Sequence, residues 1–315
     1  MCSSDLGDPQ LDQWVGVVNP RGEFAFNGRR NRFSIGYSGT LEAYERYEEL
    51  TRYDQRGRLI FRHQATPRLQ FRAQSSLSLS PSTDRLDDLP GLPFENVGTT
   101  QYDARGGFDY APTRRSTMAA DYNFQWVDFD RNSPTLIGRG GILNGGRSHA
   151  GTGSYRYAFT SRLSAGGAYS YRRAATDGDV QQIRVQDGIG MLTVRLTEHT
   201  TVEGGAGMAY LKVLSTGETR QGPSLRGRLA HSFDRVQVDV AYERTYVPSW
   251  TFGGTTTNEE ARTSVRVPFA RGRGFVSGGL TYRHNEPLVR SGDRIVLDSW
   301  HTNGTLGYEI GRAHV

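Results

Sequence analysis

Apolar and polar residues alternate one by one along most of this chain, and the stretch from Tyr102 to Asp130 shows the unit most plainly. Met118, Ala120, Tyr122, Phe124 and Trp126 fall on one side of an extended backbone, with Ala119, Asp121, Asn123 and Gln125 on the other. A period of two is that of a β-strand with one apolar and one wet face. Ala104, Gly106, Phe108 and Tyr110 repeat it before the turn at Pro112-Thr113-Arg114, set against Asp103, Arg105 and Asp109. Pro112 cannot donate to a strand ladder, so the two runs read as the arms of a hairpin.

The unit recurs along the chain. Alternating arms run through Phe33–Ala43, Leu59–Ala65, Leu69–Ser80, Tyr155–Phe159, Leu163–Tyr171, Leu192–Leu196, Val202–Tyr210, Leu225–Phe233, Val236–Tyr246, Ala261–Phe269, Val276–Tyr282 and Trp300–Tyr308. A more irregular first arm covers Trp14–Phe26, with a bulge or turn at Asn19-Pro20-Arg21-Gly22. Short turns centre near residues 29, 67, 113, 161, 198, 234 and 272, and longer, more variable loops separate the hairpins. The longest loops are Pro81–Thr100, broken by Pro81, Pro90 and Pro93, and the Gly-rich stretch Arg131–Gly146. Aromatic residues gather at strand ends. Phe159, Phe233 and Phe269 precede short turns, while Tyr44, Trp126, Tyr171 and Tyr246 lie toward the long loops.

Arm length decides between architectures. Strands of soluble sandwiches run to about 5–6 residues, and a propeller repeating at ~40–45 residues puts four strands in each repeat. Most of the arms here are longer and come two to a repeat, long enough for tilted strands that cross a bilayer, which need about 9–11 residues. Short turns at one end, long loops at the other and aromatic girdles at both are the marks of a transmembrane barrel, which closes because lipid cannot satisfy an open strand edge. The expected fold is therefore all-β: an antiparallel up-and-down transmembrane β-barrel of about fifteen arms.

Composition agrees with many strands: hydrophobic residues make 36%, aromatics 11%, and there are 39 glycines. The charge sharpens the picture. Lys212 is the sole lysine, and arginine is spread through every segment with Asp and Glu between, so the net +5 forms no nucleic-acid patch. On the alternation, Tyr37, Phe71, Phe108, Tyr110, Tyr122, Phe124, Trp126, Tyr157, Phe159, Phe233, Tyr242 and Phe269 face lipid or its borders. The opposite set, Arg58, Arg62, Arg72, Arg105, Asp121, Arg156, Arg172, Arg226, Arg228, Asp239, Glu243, Arg262, Arg266 and Arg283, then faces the lumen. An Arg turned to lipid at mid-bilayer costs ~2–4 kcal/mol. Two readings of that set stand side by side: the charges satisfy one another between strands, or they line a hydrated pore with a mild anion bias.

Catalytic signals are few. The seven histidines have no metal-ligand spacing, and no nucleophile elbow occurs. Gly204-Gly205-Ala206-Gly207 sits mid-strand, where small residues let backbones approach. His149 and Ser154 are the candidates for a rim hydrolase. No catalytic, cofactor or metal site is expected.

The whole chain resembles a bacterial outer-membrane β-barrel of the porin-like kind and is similar to barrels whose hairpins carry turns like Thr66-Pro67-Arg68-Leu69. The resemblance implies residence in the bacterial outer membrane and contact with its lipids, with passive passage of small hydrophilic solutes or ions. It leaves open homo-oligomers and a runner-up, a structural or export barrel such as an exit for a secreted polysaccharide, with envelope partners. Pro81–Thr100 is the candidate constricting loop. Cys2-Ser3-Ser4-Asp5-Leu6 and Ile310-Gly311-Arg312-Ala313-His314-Val315 resemble translated sequencing adapters. Residues 7–309 are accordingly expected to be a single incomplete barrel domain, with 1–6 and 310–315 adapter-derived. Bacterial barrels have even strand numbers and periplasmic short turns. A further strand is expected before the first arm, giving sixteen or more when complete.

Overall fold

The computed structural model describes residues 15–44, 52–80, 98–130, 145–177, 182–233, 236–249, 254–269, 273–287 and 296–308. The adapter-like ends and most of the two longest loops lie outside the described residues. Among the described residues sixteen strands form one antiparallel sheet: β1 (Val15–Val18), β2 (Arg21–Asn27), β3 (Asn31–Tyr44), β4 (Arg52–Thr66), β5 (Leu69–Ser80), β6 (Thr99–Tyr110), β7 (Ser116–Phe129), β8 (Gly146–Ala158), β9 (Leu163–Thr176), β10 (Gln182–Arg195), β11 (Thr200–Val213), β12 (Thr219–Ser232), β13 (Gln237–Ser249), β14 (Gly254–Phe269), β15 (Gly274–Pro287) and β16 (Leu297–Tyr308). From β3 onward each strand pairs with the next in sequence, an up-and-down order. No α-helix occurs among the described residues.

The first arm is one strand in two pieces. Both β1 and β2 pair with β3, Val18 opposite Leu41 and Arg21 opposite Ser38, three residues further along each strand. The register is thus continuous across Asn19-Pro20, where Pro20 has no N–H to give and its carbonyl instead accepts from Gly39 N at 2.9 Å. Strands β3 to β16 run 12 to 16 residues. The Tyr102–Asp130 hairpin is β6–β7, with Tyr102 opposite Trp126, Gly106 opposite Tyr122 and Tyr110 opposite Met118.

A threonine builds the short turns. Thr66, Thr113, Thr160 and Thr197 each accept, on the side-chain hydroxyl, the backbone N–H two residues on (Arg68, Arg115, Arg162 and His199, 3.1–3.2 Å). Such a bond mimics a backbone turn and fixes the reversal locally. Pro67 adds a preset φ to the first of them. Thr216 repeats the device (Glu218 N, 3.3 Å) at the opposite end of the sheet, where β11 and β12 join through residues 214–218 and Gly217 takes φ +74°, a region open to glycine.

Most strands extend beyond the arms expected from the sequence, β4 beginning at Arg52 rather than Leu59, β8 at Gly146 rather than Tyr155 and β14 at Gly254 rather than Ala261. Strand β10 begins at Gln182 rather than near Leu192, β12 at Thr219 rather than Leu225, and β16 at Leu297 rather than Trp300. In β10 the phase hides the strand: Ile183, Val185 and Ile189 occupy the face that is polar elsewhere, and Arg184 and Gln186 the face that is apolar elsewhere.

Candidate functional site

Residues directly opposite in a ladder share a face, so the registers assign faces around the whole sheet. One row runs Phe61, Ala73, Gly106, Tyr122, Gly151, Tyr171; its neighbour on the other face runs Arg32, Arg62, Arg72, Gly107, Asp121, Thr152. Followed through all pairings, every charged residue expected at the lumen shares the second face, and the aromatic residues expected to face lipid share the first. Phe159 and Phe233 lie one residue beyond their strands and continue that first face, their rings against Tyr157 and His231.

Contacts that skip strands show how the sheet curves. Adjacent strands are ~4.8 Å apart, so in a flat sheet β9 and β13 would lie about 19 Å from each other. Arg172 Nη1 of β9 nevertheless donates to the carbonyl of Tyr246 in β13 at 3.4 Å. Arg156 of β8 reaches Glu203 of β11 at 4.0 Å, and Ser224 of β12 donates to Asp187 of β10 at 3.2 Å. These residues share the charged face, which is therefore concave. On the convex face hydrogen bonds join adjacent strands, as in Tyr37–Tyr53 and Tyr122–His149.

The charges on the concave face are unevenly neutralised. Arg72 binds Asp109 and Asp121, the latter at 2.7 Å. Arg226 binds Glu243 and Arg228 binds Asp239, both at 2.7 Å, and Glu260 lies between Arg262 (2.5 Å) and Arg283 (2.8 Å). Arg105 lies 3.5 Å from Asp121, and the Arg266 guanidinium sits 3.8 Å over the Phe275 ring. Arg56, Arg58 and Arg62, all on β4, make no ion pair among the described residues. The wall from β12 to β15 is thus largely self-compensated, and β4 stays cationic.

Burial on this face concentrates toward the long loops. Val127, Ile183, Val185, Ala209, Leu211, Val213 and Ser224 are all buried there. Strand β13 leaves β12 beyond the Leu225–Arg244 pair but stays with β14, and this released segment lies over the concave face. Alternation from Tyr242 would put Tyr246 on the convex face among the girdle aromatics. Instead it packs against Ile183, Val185, Ala209, Leu211 and Val213. Its hydroxyl fills the space where a Cβ on Gly222 would stand, which is why a glycine faces it. Beneath it is a chamber of about 330 Å³, lined by Arg172, Asp187, Arg226, Glu243 and Glu260 among others. Asp187 Oδ1 and Asn258 Oδ1 line it as buried acceptors without a protein partner. Sequence reasoning missed this narrowing, because a strand released from its neighbour leaves no mark in a period-two pattern.

His149 and Ser154 do not meet. They stand on opposite faces of β8, and His149 Nδ1 is hydrogen bonded to the Tyr122 hydroxyl at 2.6 Å. The candidate constricting loop falls mostly outside the described residues, with only Gly98, Thr99 and Thr100 inside them.

Comparison with solved structures bears on the fold. The chain superposes on the FrpB iron transporter of Neisseria meningitidis with a TM-score of 0.54 at 8% identity, covering 95% of this chain and 58% of that one. The fold is that of an outer-membrane β-barrel. The ferric-catecholate import receptor Fiu of E. coli K12 matches at a TM-score of 0.47 and 9% identity over 92% of this chain and 64% of that chain. A bacterial polysaccharide outer membrane secretin also gives 0.47, at 10% identity over 94% and 91%. The chain spans 58–64% of the length of these two iron-transport proteins. No protein-family model matches the chain, and no curated protein does.

Proposed function

We propose that the chain forms a hydrophilic pore in the bacterial outer membrane through which small solutes or ions pass passively, with no covalent step and no cofactor. The observation that carries this reading is the opposition of the two faces. The concave face presents arginines, carboxylates, serines and threonines, while the convex face presents Phe, Tyr, Leu, Val and glycine. Lipid against the concave face would cost ~2–4 kcal/mol for each mid-bilayer Arg, so water belongs on the concave side and acyl chains on the other. The narrowing under Tyr246 sets the bore in the long-loop half. The fold of FrpB supports a barrel and leaves the solute open.

Incorporation of the full chain into planar lipid bilayers tests the proposal. Stepwise, ohmic conductance and swelling of liposomes in small sugars are expected. A correctly folded protein that gives neither contradicts a passive pore.

A further inference from the structure

The convex face changes character toward the long loops along a strip formed by β9, β10 and β11. Successive rows of directly opposed residues read, moving outward, Ala165, Leu192, Gly204; then Gly167, Gly190, Ala206; then Tyr169, Gly188, Met208; then Tyr171, Gln186, Tyr210; then Arg173, Arg184, Lys212. The last row sets three cations side by side on neighbouring strands, and Lys212 is the sole lysine of the chain. Like charges directly opposite one another destabilise a ladder. On the concave face Arg228 meets Asp239, and the comparable cationic row Arg32, Arg62, Arg72 lies on that face too, with Arg72 held by Asp109 and Asp121. In this row Arg173 donates to the neutral Gln182 (3.0 Å), and no ion pair forms for Arg173, Arg184 or Lys212 among the described residues. The Arg184 guanidinium leans over the Tyr171 ring at 5.8 Å, and its Nε is buried without an acceptor.

The cations therefore stand one row beyond a tyrosine belt, on the side away from the lumen. A bilayer is ordered the same way, with acyl chains, then the interface that tyrosine prefers, then phosphate. We propose that Arg173, Arg184 and Lys212 form a docking site for the phosphate groups of membrane lipid in the leaflet on the long-loop side, the outer one if the short turns are periplasmic. Three donors in a row across adjacent strands suit a headgroup carrying more than one phosphate, because each guanidinium offers a forked pair of N–H groups and the ammonium a point charge. The lipid anions then relieve the repulsion within the row, and the Tyr171 ring holds Arg184 flat against the strand.

This rests on the membrane reading but not on conduction, so the two can fail separately. The test compares native protein with the triple variant Arg173→Gln, Arg184→Gln, Lys212→Gln in micelles of a neutral detergent, titrated with the diphosphorylated disaccharide lipid A. A basic residue near an anionic surface is worth about fivefold in affinity, so the triple variant is expected to bind lipid A about a hundredfold more weakly. Folding in neutral detergent and single-channel conductance should be unchanged. Equal binding by both proteins overturns the proposal, as does native protein that prefers lipid A no more than phosphatidylcholine. If inorganic phosphate at millimolar concentration competes lipid A away and itself binds the native protein but not the triple variant, the site takes a free anion, and the lipid assignment is wrong. A variant that fails to fold is replaced by Arg173→Lys with Arg184→Lys, which keeps the charge; it should retain most of the binding, and loss of binding by this pair also counts against the assignment.

Discussion

Tyr246 offers the sharpest perturbation of the interior, because one side chain both covers an apolar cluster and narrows the chamber. In Tyr246→Ala the ring no longer covers Ile183, Val185, Ala209, Leu211 and Val213 on the concave face. Tyr246 is 9% exposed. An aromatic side chain that buries ~150 Å² at ~25 cal/mol per Å² loses about 4 kcal/mol as an upper bound. Aromatic-to-Ala changes in packed cores cost about 3–5 kcal/mol. The ring borders an open chamber on one side, so the lower end, about 3 kcal/mol, is the expected loss. Equilibrium urea unfolding in detergent micelles, followed by tryptophan fluorescence, measures it, and single-channel conductance should rise in the same variant. Gly222→Ala provides an independent route, since the added methyl overlaps the tyrosine hydroxyl and should displace the ring without removing it. Tyr246→Phe should keep most of the stability. If Tyr246→Ala unfolds at the native urea concentration and conducts like the native protein, the released segment of β13 does not lie over the concave face.

The cationic wall predicts selectivity. Replacing Arg56, Arg58 and Arg62 together with Gln should move the reversal potential under a salt gradient from modest anion preference toward cations, while an unchanged potential would mean that these side chains do not border the conduction path. Gly217→Val forces a β-branched residue to φ +74° and should cost ~1–3 kcal/mol, read as a lower unfolding midpoint. Thr160→Val keeps the shape of the short turn but removes the acceptor for Arg162 and Leu163, and should cost ~1 kcal/mol by the same assay.

The pairing of β6 with β7 was legible because each arm keeps one phase from end to end, so that Tyr102, Phe108, Tyr122 and Trp126 declare a face without any other information. The short turns were legible through Pro67 and Pro112, although the shared threonine hydroxyl is what closes them. The start of β10 was not, since Ile183, Val185 and Ile189 invert the expected polarity and resemble a break in the pattern. They tolerate the concave side because the far end of β13 covers them. Tyr246 was misplaced for the same reason: alternation assigns a side chain to a face of its own strand, but only tertiary structure tells where a strand parts from its neighbour. The individual ion partners, Arg226 with Glu243 or Glu260 with both Arg262 and Arg283, depend on register, and a one-residue slip would break every one of them.

The account turns on which face meets water, and β7 can report that directly. Single cysteines placed in turn at residues 119 to 126, in a Cys2→Ser background, carry a nitroxide label after reconstitution into liposomes. Accessibility to a water-soluble nickel chelate should peak at Ala119, Asp121, Asn123 and Gln125, and accessibility to oxygen dissolved in the bilayer should peak at Ala120, Tyr122, Phe124 and Trp126. A period of two in the opposite phase would place the apolar face in water and contradict the pore, and no alternation at all would remove the transmembrane strand itself.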